Sequence, residues 1–129
     1  MSLQSPLGKV LGRGSAKSGV SHWWVQRVTA VALVPLTIWF AFQVVHLPTT
    51  DLDAVRGWIA HGVNPVLLVL MLLALCWHSA LGVQVVLEDY VHTKGLKLAS
   101  LLASTFAHLL LAAAGVYAVL RIAFTTGSA

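Results

Sequence analysis

The sequence has 129 residues, of which 58% are hydrophobic and only 9% are charged. A mean hydropathy of +0.85 does not suit a water-soluble fold, and the length leaves room for one domain. Composition therefore predicts an integral membrane protein and excludes a soluble enzyme. The net charge of +4 is dispersed beside apolar segments and forms no groove-reading motif, so no nucleic-acid partner is expected.

Three long runs contain no charged residue: 28–50, 57–87 and 98–120. Each run exceeds the roughly 20 residues that a helix needs to cross a bilayer. Because helices satisfy their own backbone hydrogen bonds in lipid, we predict an all-α membrane bundle of three transmembrane helices. The predicted helices cover about residues 23–46, 63–89 and 97–124.

The basic residues predict the orientation of these helices. Six of the eight Lys and Arg residues lie near the amino terminus or in the second loop between crossings: Lys9, Arg13, Lys17, Arg27, Lys94 and Lys97. Only Arg56 and Arg121 lie on the other side. The positive-inside rule then places the amino terminus inside and the carboxyl terminus outside. Residues 1–21 lack an apolar core and are interpreted as an inside tail, so residues 22–129 form the membrane domain.

The segment between the first two crossings contains a further helical pattern. Apolar residues recur at helical spacing within residues 49–59, including Leu52, Val55 and Trp58. This pattern predicts a short amphipathic helix on the outer interface. Asn64, followed by proline, is predicted to cap the start of the second crossing.

The second crossing carries a histidine in its middle and an acid-tyrosine pair at its end. A helix turns about 100° per residue, so His78, Gly82 and Asp89 share one stripe, and Tyr90 lies roughly 18 Å beyond His78. Two interpretations fit this spacing. His78 binds haem iron, with Gly82 making room for the macrocycle, or His78 bonds to a neighbouring helix and Gly82 permits close helix packing.

Two other polar residues also allow two interpretations. Arg27 follows a pair of tryptophans at the membrane edge and either extends its charge to the interface or approaches a buried anion such as a haem propionate. His108 in the third crossing reaches a depth similar to that of His78. It is either a second haem ligand within the chain or a hydrogen-bonding residue between helices.

Part of the second crossing matches a family pattern of a histidine, a glycine four residues later and an acid-tyrosine-valine end: His78, Gly82, Asp89, Tyr90 and Val91. With three crossings and the opening HWWVQRVTA at residues 22–30, this pattern resembles the D-type hydrophobic membrane anchor of succinate dehydrogenase, in its bacterial style. The resemblance extends from Gly12 to Ile122. The Arg-Pro-x-Ser-Pro-His opening of the companion C-type subunit is absent, which favours the D-type.

The resemblance implies a respiratory complex of four subunits in the bacterial inner membrane. A flavoprotein oxidises succinate, an iron-sulfur subunit passes electrons on, and two anchor subunits hold haem b and ubiquinone. On this chain, His78 would be one axial ligand of the haem iron, and the cytochrome b-type C subunit would supply the other. Arg27 and His22 would face the haem propionates, while Gly82 would pack against the haem.

The resemblance also implies a quinone site at the inside end of the second crossing. Tyr90 would hydrogen-bond a ubiquinone carbonyl, and Asp89 would tune the proton supply. Two alternatives remain at this point. One is another b-type cytochrome subunit, which would normally hold both iron ligands in one chain, and the other is a helical membrane scaffold without a cofactor.

Overall fold

The computed structural model describes residues 19–126, within which four helices and no strand occur. The helices are α1 (Gly19–Val45), α2 (Leu52–Ala60), α3 (Asn64–Tyr90) and α4 (Lys94–Thr126). Of these, α1, α3 and α4 are long and apolar enough to cross a membrane. The prediction of an all-α protein with three transmembrane helices is confirmed, while the orientation of the termini stays a prediction.

The helices extend somewhat beyond the predicted ends. α1 begins at Gly19, so the end of the predicted tail of residues 1–21 is helical, and residues 1–18 lie outside the described residues. α4 begins at Lys94, three residues early, and the backbone N–H of Lys97 donates to the carbonyl of Thr93 at 2.8 Å. Hydropathy marks only the part of a helix that suits lipid. Helical hydrogen bonding continues into the polar region beyond it.

α3 is the central helix of the domain. It packs against α1 on one side and against α4 on the other, whereas α1 and α4 do not contact each other. Gly115 allows a close approach of α4 to α3, because a Cβ atom placed there would lie 3.1 Å from Cδ1 of Leu72. The face of α3 that carries His78 and the face that meets α4 are therefore separate surfaces.

The predicted short helix is present as α2, and it joins the three long helices at one end. α2 packs against α3 and α4, and the Trp58 ring stacks on Trp39 of α1 with 6.2 Å between ring centres. The prediction that Asn64 caps α3 is wrong. The N-cap is Val63, and the Asn64 side chain, only 6% exposed, donates through Nδ2 to the Trp58 carbonyl at 2.7 Å. The Asn64 amide therefore hydrogen-bonds the carboxyl end of α2, because the Trp58 carbonyl lies within hydrogen-bonding distance.

Candidate functional site

His78 lies in the middle of α3 and contacts Thr29 of α1. The distance between His78 Nδ1 and Thr29 Oγ1 is 3.1 Å, and the same hydroxyl oxygen lies 3.0 Å from the carbonyl oxygens of Val25 and Gln26. We assign the single hydroxyl hydrogen to the backbone carbonyls, which only accept, and in this assignment Oγ1 accepts the Nδ1–H of His78. This tautomer leaves a free lone pair on Nε2, the state that a metal ligand needs.

The same imidazole lines a cavity of about 280 Å³ at the seam between α1 and α3. The lining residues are Trp23, Gln26, Arg27, Ala30 and His78. The Arg27 guanidinium carbon lies 5.3 Å from the centre of the Trp23 ring, a cation–π distance that positions the charge at the cavity. Within residues 19–126, Arg27 forms no ion pair. The cavity thus combines a neutral imidazole with a cation that an anion can pair with.

Two other predicted site residues lie beside this cavity without lining it. His22 is half-buried, and its Nε2 atom is buried and has no hydrogen-bond partner among residues 19–126. Gly82 faces α1, because a Cβ atom placed there would lie 3.7 Å from Nε2 of Gln26. That distance is an ordinary contact, so the α1–α3 spacing here would also accommodate alanine. His22 therefore offers an unused ring nitrogen on the same helix as Arg27.

His108 binds within the α3–α4 interface instead of joining His78. Its Nδ1 lies 2.8 Å from the Ser104 carbonyl and its Nε2 lies 3.1 Å from Oγ of Ser79. The carbonyl requires Nδ1–H, so Nε2 accepts the Ser79 hydroxyl hydrogen. Both ring nitrogens are engaged, and His78 contacts the other neighbouring helix. This geometry favours the helix-packing interpretation of His108.

Asp89 and Tyr90 lie at the end of α3, about 18 Å along the helix from His78. Both side chains are exposed, and Tyr90 is 79% exposed. Lys97 of α4 donates through Nζ to the Glu88 carbonyl at 2.7 Å, which satisfies the carbonyl end of the helix and adds a positive charge there. Neither Asp89 nor Tyr90 lines the cavity shared by His78 and Arg27.

The comparison with protein families identifies the class of membrane protein. Residues 1–119 match the family described as succinate dehydrogenase/fumarate reductase transmembrane subunit. The chain belongs to this family. The predicted family resemblance is confirmed, and the assignment to the D-type within it stays a prediction.

The names of individual relatives agree with this family. A succinate dehydrogenase hydrophobic membrane anchor subunit of Rickettsia bellii is 33% identical over 89 residues, covering 69% of this chain and 71% of the relative. The similar subunit of Rickettsia conorii is 33% identical over 84 residues, covering 64% and 67%. A succinate dehydrogenase membrane anchor subunit of Reclinomonas americana is 30% identical over 88 residues, covering 66% and 73%.

Gln26 and Thr29 are site residues of this transmembrane subunit that sequence reasoning did not single out. His22, Gln26 and Thr29 recur at intervals of four and three residues, so they form one polar stripe on a largely apolar helix. A polar stripe in a membrane helix faces protein, a ligand or water, because lipid cannot satisfy its hydrogen bonds. That spacing was the available signal for the surface of α1 that meets His78.

Proposed function

We propose that this chain is the membrane anchor subunit of succinate:quinone oxidoreductase, respiratory complex II. In this proposal it holds haem b together with the cytochrome b-type C subunit and binds ubiquinone. The supporting observation is the His78 ring, which is fixed by Thr29 through Nδ1 and keeps its Nε2 lone pair in the seam that also contains Arg27. The names and sequences of the relatives support the same assignment.

The residues of the α1–α3 seam fit the chemical groups of a haem. An imidazole with a free Nε2 suits iron, and the Thr29 hydroxyl holds the ring in the required tautomer. Arg27 and the unpartnered Nε2 of His22 suit the two propionates, which need positive charge or hydrogen-bond donors. Gly82 has no side chain that would project from α3 beside Gln26. Haem b, when bound, would supply a one-electron redox centre inside the membrane.

The polar end of α3 suits a quinone site. Reduction of a quinone to a quinol consumes two electrons and two protons, so the site needs access to water as well as to the iron-sulfur subunit. Tyr90 is exposed at this end, and its phenol donates a hydrogen bond without placing a charge in hydrocarbon. Asp89, beside it, would exchange protons with water. Tyr90 therefore orients the quinone carbonyl, and Asp89 supplies the proton route.

Replacement of the two membrane histidines tests the haem assignment. We expect His78→Ala to abolish the reduced-minus-oxidised spectrum of haem b in the purified complex, because the iron loses its ligand from this chain. His108→Ala is the matched control and should retain haem, since its ring nitrogens already bind Ser104 and Ser79. Co-purification of the other subunits shows whether each variant assembles.

Other outcomes would support the alternative functions. Loss of haem from both variants, with assembly intact, would indicate an iron site within one chain and favour another b-type cytochrome. A parent complex without a haem spectrum would contradict the haem part of the proposal and favour a cofactor-free scaffold. Retention of haem in His78→Ala would contradict the ligand assignment directly.

A further inference from the structure

A second cavity lies at the end of the domain remote from Tyr90, between α2 and the last turns of α4. Its volume is about 650 Å³. Its lining residues include Val55, Arg56, Ile59, Tyr117, Arg121 and Ile122. The residues come from one face of each helix, because those of α2 recur at intervals of three and four, as do those of α4. The cavity is therefore a gap between two packed helices.

Two guanidinium groups border this cavity, and none of the described residues that line it is acidic. Arg56 is 3.8 Å from the Asp53 carboxylate, whose side chain is 96% exposed, so water screens that pair strongly. Arg121 is exposed and forms no ion pair with any residue of 19–126. Two like charges at one cavity repel each other, and an anion that contacts both removes this cost. Guanidinium groups bind phosphate oxygens in a bidentate manner.

Much of the remaining lining is aliphatic. Val55 and Ile59 of α2 and Ile122 of α4 provide aliphatic surface beside the two arginines. Arg121 lies near the end of a helix long and apolar enough to cross the membrane, which is the depth of the headgroup region. A ligand that combines a phosphate with aliphatic chains matches both parts of the cavity. Phospholipid is the molecule of this class present at that depth.

We infer that an anionic phospholipid occupies the cavity between α2 and α4. Its phosphate lies between Arg56 and Arg121, and an acyl chain lies along Val55, Ile59 and Ile122. The Tyr117 phenol provides a further donor at the headgroup. The Thr125 hydroxyl does not, because it donates to the Arg121 carbonyl at 2.7 Å. A net negative headgroup fits the unpaired Arg121 and the weakly paired, solvent-screened Arg56 better than a zwitterionic one does.

Lipid retention tests this inference directly. The full chain, with the subunits that co-purify with it, is placed in nanodiscs of phosphatidylcholine with phosphatidylglycerol, extracted in mild detergent and analysed by native mass spectrometry. We expect phosphatidylglycerol to be retained in preference to phosphatidylcholine. Arg56→Gln and Arg121→Gln should each lower this retention about fivefold, since a basic residue near an anionic surface contributes about 1 kcal/mol. Arg121→Lys should retain more lipid than Arg121→Gln but less than the parent, because it keeps the charge and loses the bidentate geometry.

Lys94→Gln is the matched control, because it removes one charge from the opposite end of α4. It should leave phosphatidylglycerol retention unchanged, and an equal loss in this variant would overturn the site. Displacement of the lipid by inorganic phosphate alone would identify a free anion as the occupant and overturn the lipid assignment. Loss of a co-purifying chain in the arginine variants, without loss of lipid, would identify a protein partner instead. None of these measurements depends on haem or on quinone turnover.

Discussion

The His78–Thr29 hydrogen bond determines which nitrogen of the buried imidazole is free. A histidine in a membrane helix needs a partner for each ring nitrogen, because lipid provides none. Thr29 accepts the Nδ1–H, and its own hydrogen is used by the backbone of α1. Nε2 is then the only position of the ring left for a ligand. A small side chain on a neighbouring helix thus sets the chemistry of His78.

Substitution of Thr29 should weaken haem binding without removing the ligand. In Thr29→Val the shape is nearly kept but the acceptor for Nδ1–H is lost, so we expect haem affinity to fall roughly 10- to 100-fold, as for other partners of metal ligands. The measurement is haem content per complex, together with the haem reduction potential. Thr29→Ser should restore both values. Unchanged affinity and potential in Thr29→Val would show that the hydrogen bond does not position the ligand.

The phenol of Tyr90 should matter only when quinone is the acceptor. Tyr90→Phe removes one hydrogen-bond donor from an exposed helix end, so we expect succinate:quinone reductase activity to fall about tenfold, equivalent to about 1.4 kcal/mol. Succinate oxidation with a water-soluble artificial acceptor should be unchanged. Tyr117→Phe is the control, since this tyrosine lies at the other end of the domain. Equal quinone turnover in Tyr90→Phe and the parent would remove Tyr90 from the site.

At the scale of secondary structure, α2 connects helices that do not contact each other. The Trp58 ring of α2 packs against Trp39 and Phe40 of α1. The backbone carbonyl of Trp58 accepts a hydrogen bond from the Asn64 side chain at the start of α3. α2 also packs against α4. The short helix therefore restrains one end of all three spanning helices, and its position depends on a single buried amide.

Asn64→Ala should destabilise this end of the domain. The substitution removes the side-chain donor of the Trp58 carbonyl, which still accepts the backbone N–H of His61 at 3.2 Å, so we expect a loss of about 0.5–1.5 kcal/mol in stability. Asn64→Asp, which is isosteric, should be at least as harmful because the carboxylate cannot donate. Faster hydrogen exchange in α2 and a lower temperature of thermal inactivation are the readouts. Exchange in α2 that matched the parent in both variants would contradict this role for the amide.

The sequence predicted the elements better than their interactions. Charge-free runs were sufficient to place three spanning helices, because the bilayer imposes their length. They did not indicate that Asn64 would serve the preceding helix, because Asn is favourable both as a cap and as a side-chain donor. The Trp58–Trp39 stacking was also missed, since no periodicity relates residues on different helices.

For the whole molecule, local motifs predicted single site residues but not their partners. His78 and Arg27 line one cavity, but their predicted roles toward haem stay predictions. Thr29 was missed because its effect arises from packing between α1 and α3. Tyr90 and Asp89 are exposed in this chain, so their proposed contacts with quinone stay predictions.

The proposal that haem is shared with the C subunit can be tested with this chain alone. Expressed without the C subunit, it should insert in the membrane but give no haem b spectrum, because one axial ligand is missing. Co-expression with the C subunit should restore the spectrum, and co-expression with a C subunit that lacks its own haem histidine should not. A full haem spectrum from this chain alone would contradict the shared site and support a self-contained cytochrome.

The separation of α1 from α4 has a consequence for how ligands are enclosed. A closed bundle surrounds an interior with its own helices, whereas this domain has α3 in the middle and the other two spanning helices on different sides of it. Within residues 19–126, a groove on either side of α3 is therefore bordered by only one other spanning helix. A molecule bound in such a groove would be exposed to a neighbouring subunit or to the bilayer on its remaining side.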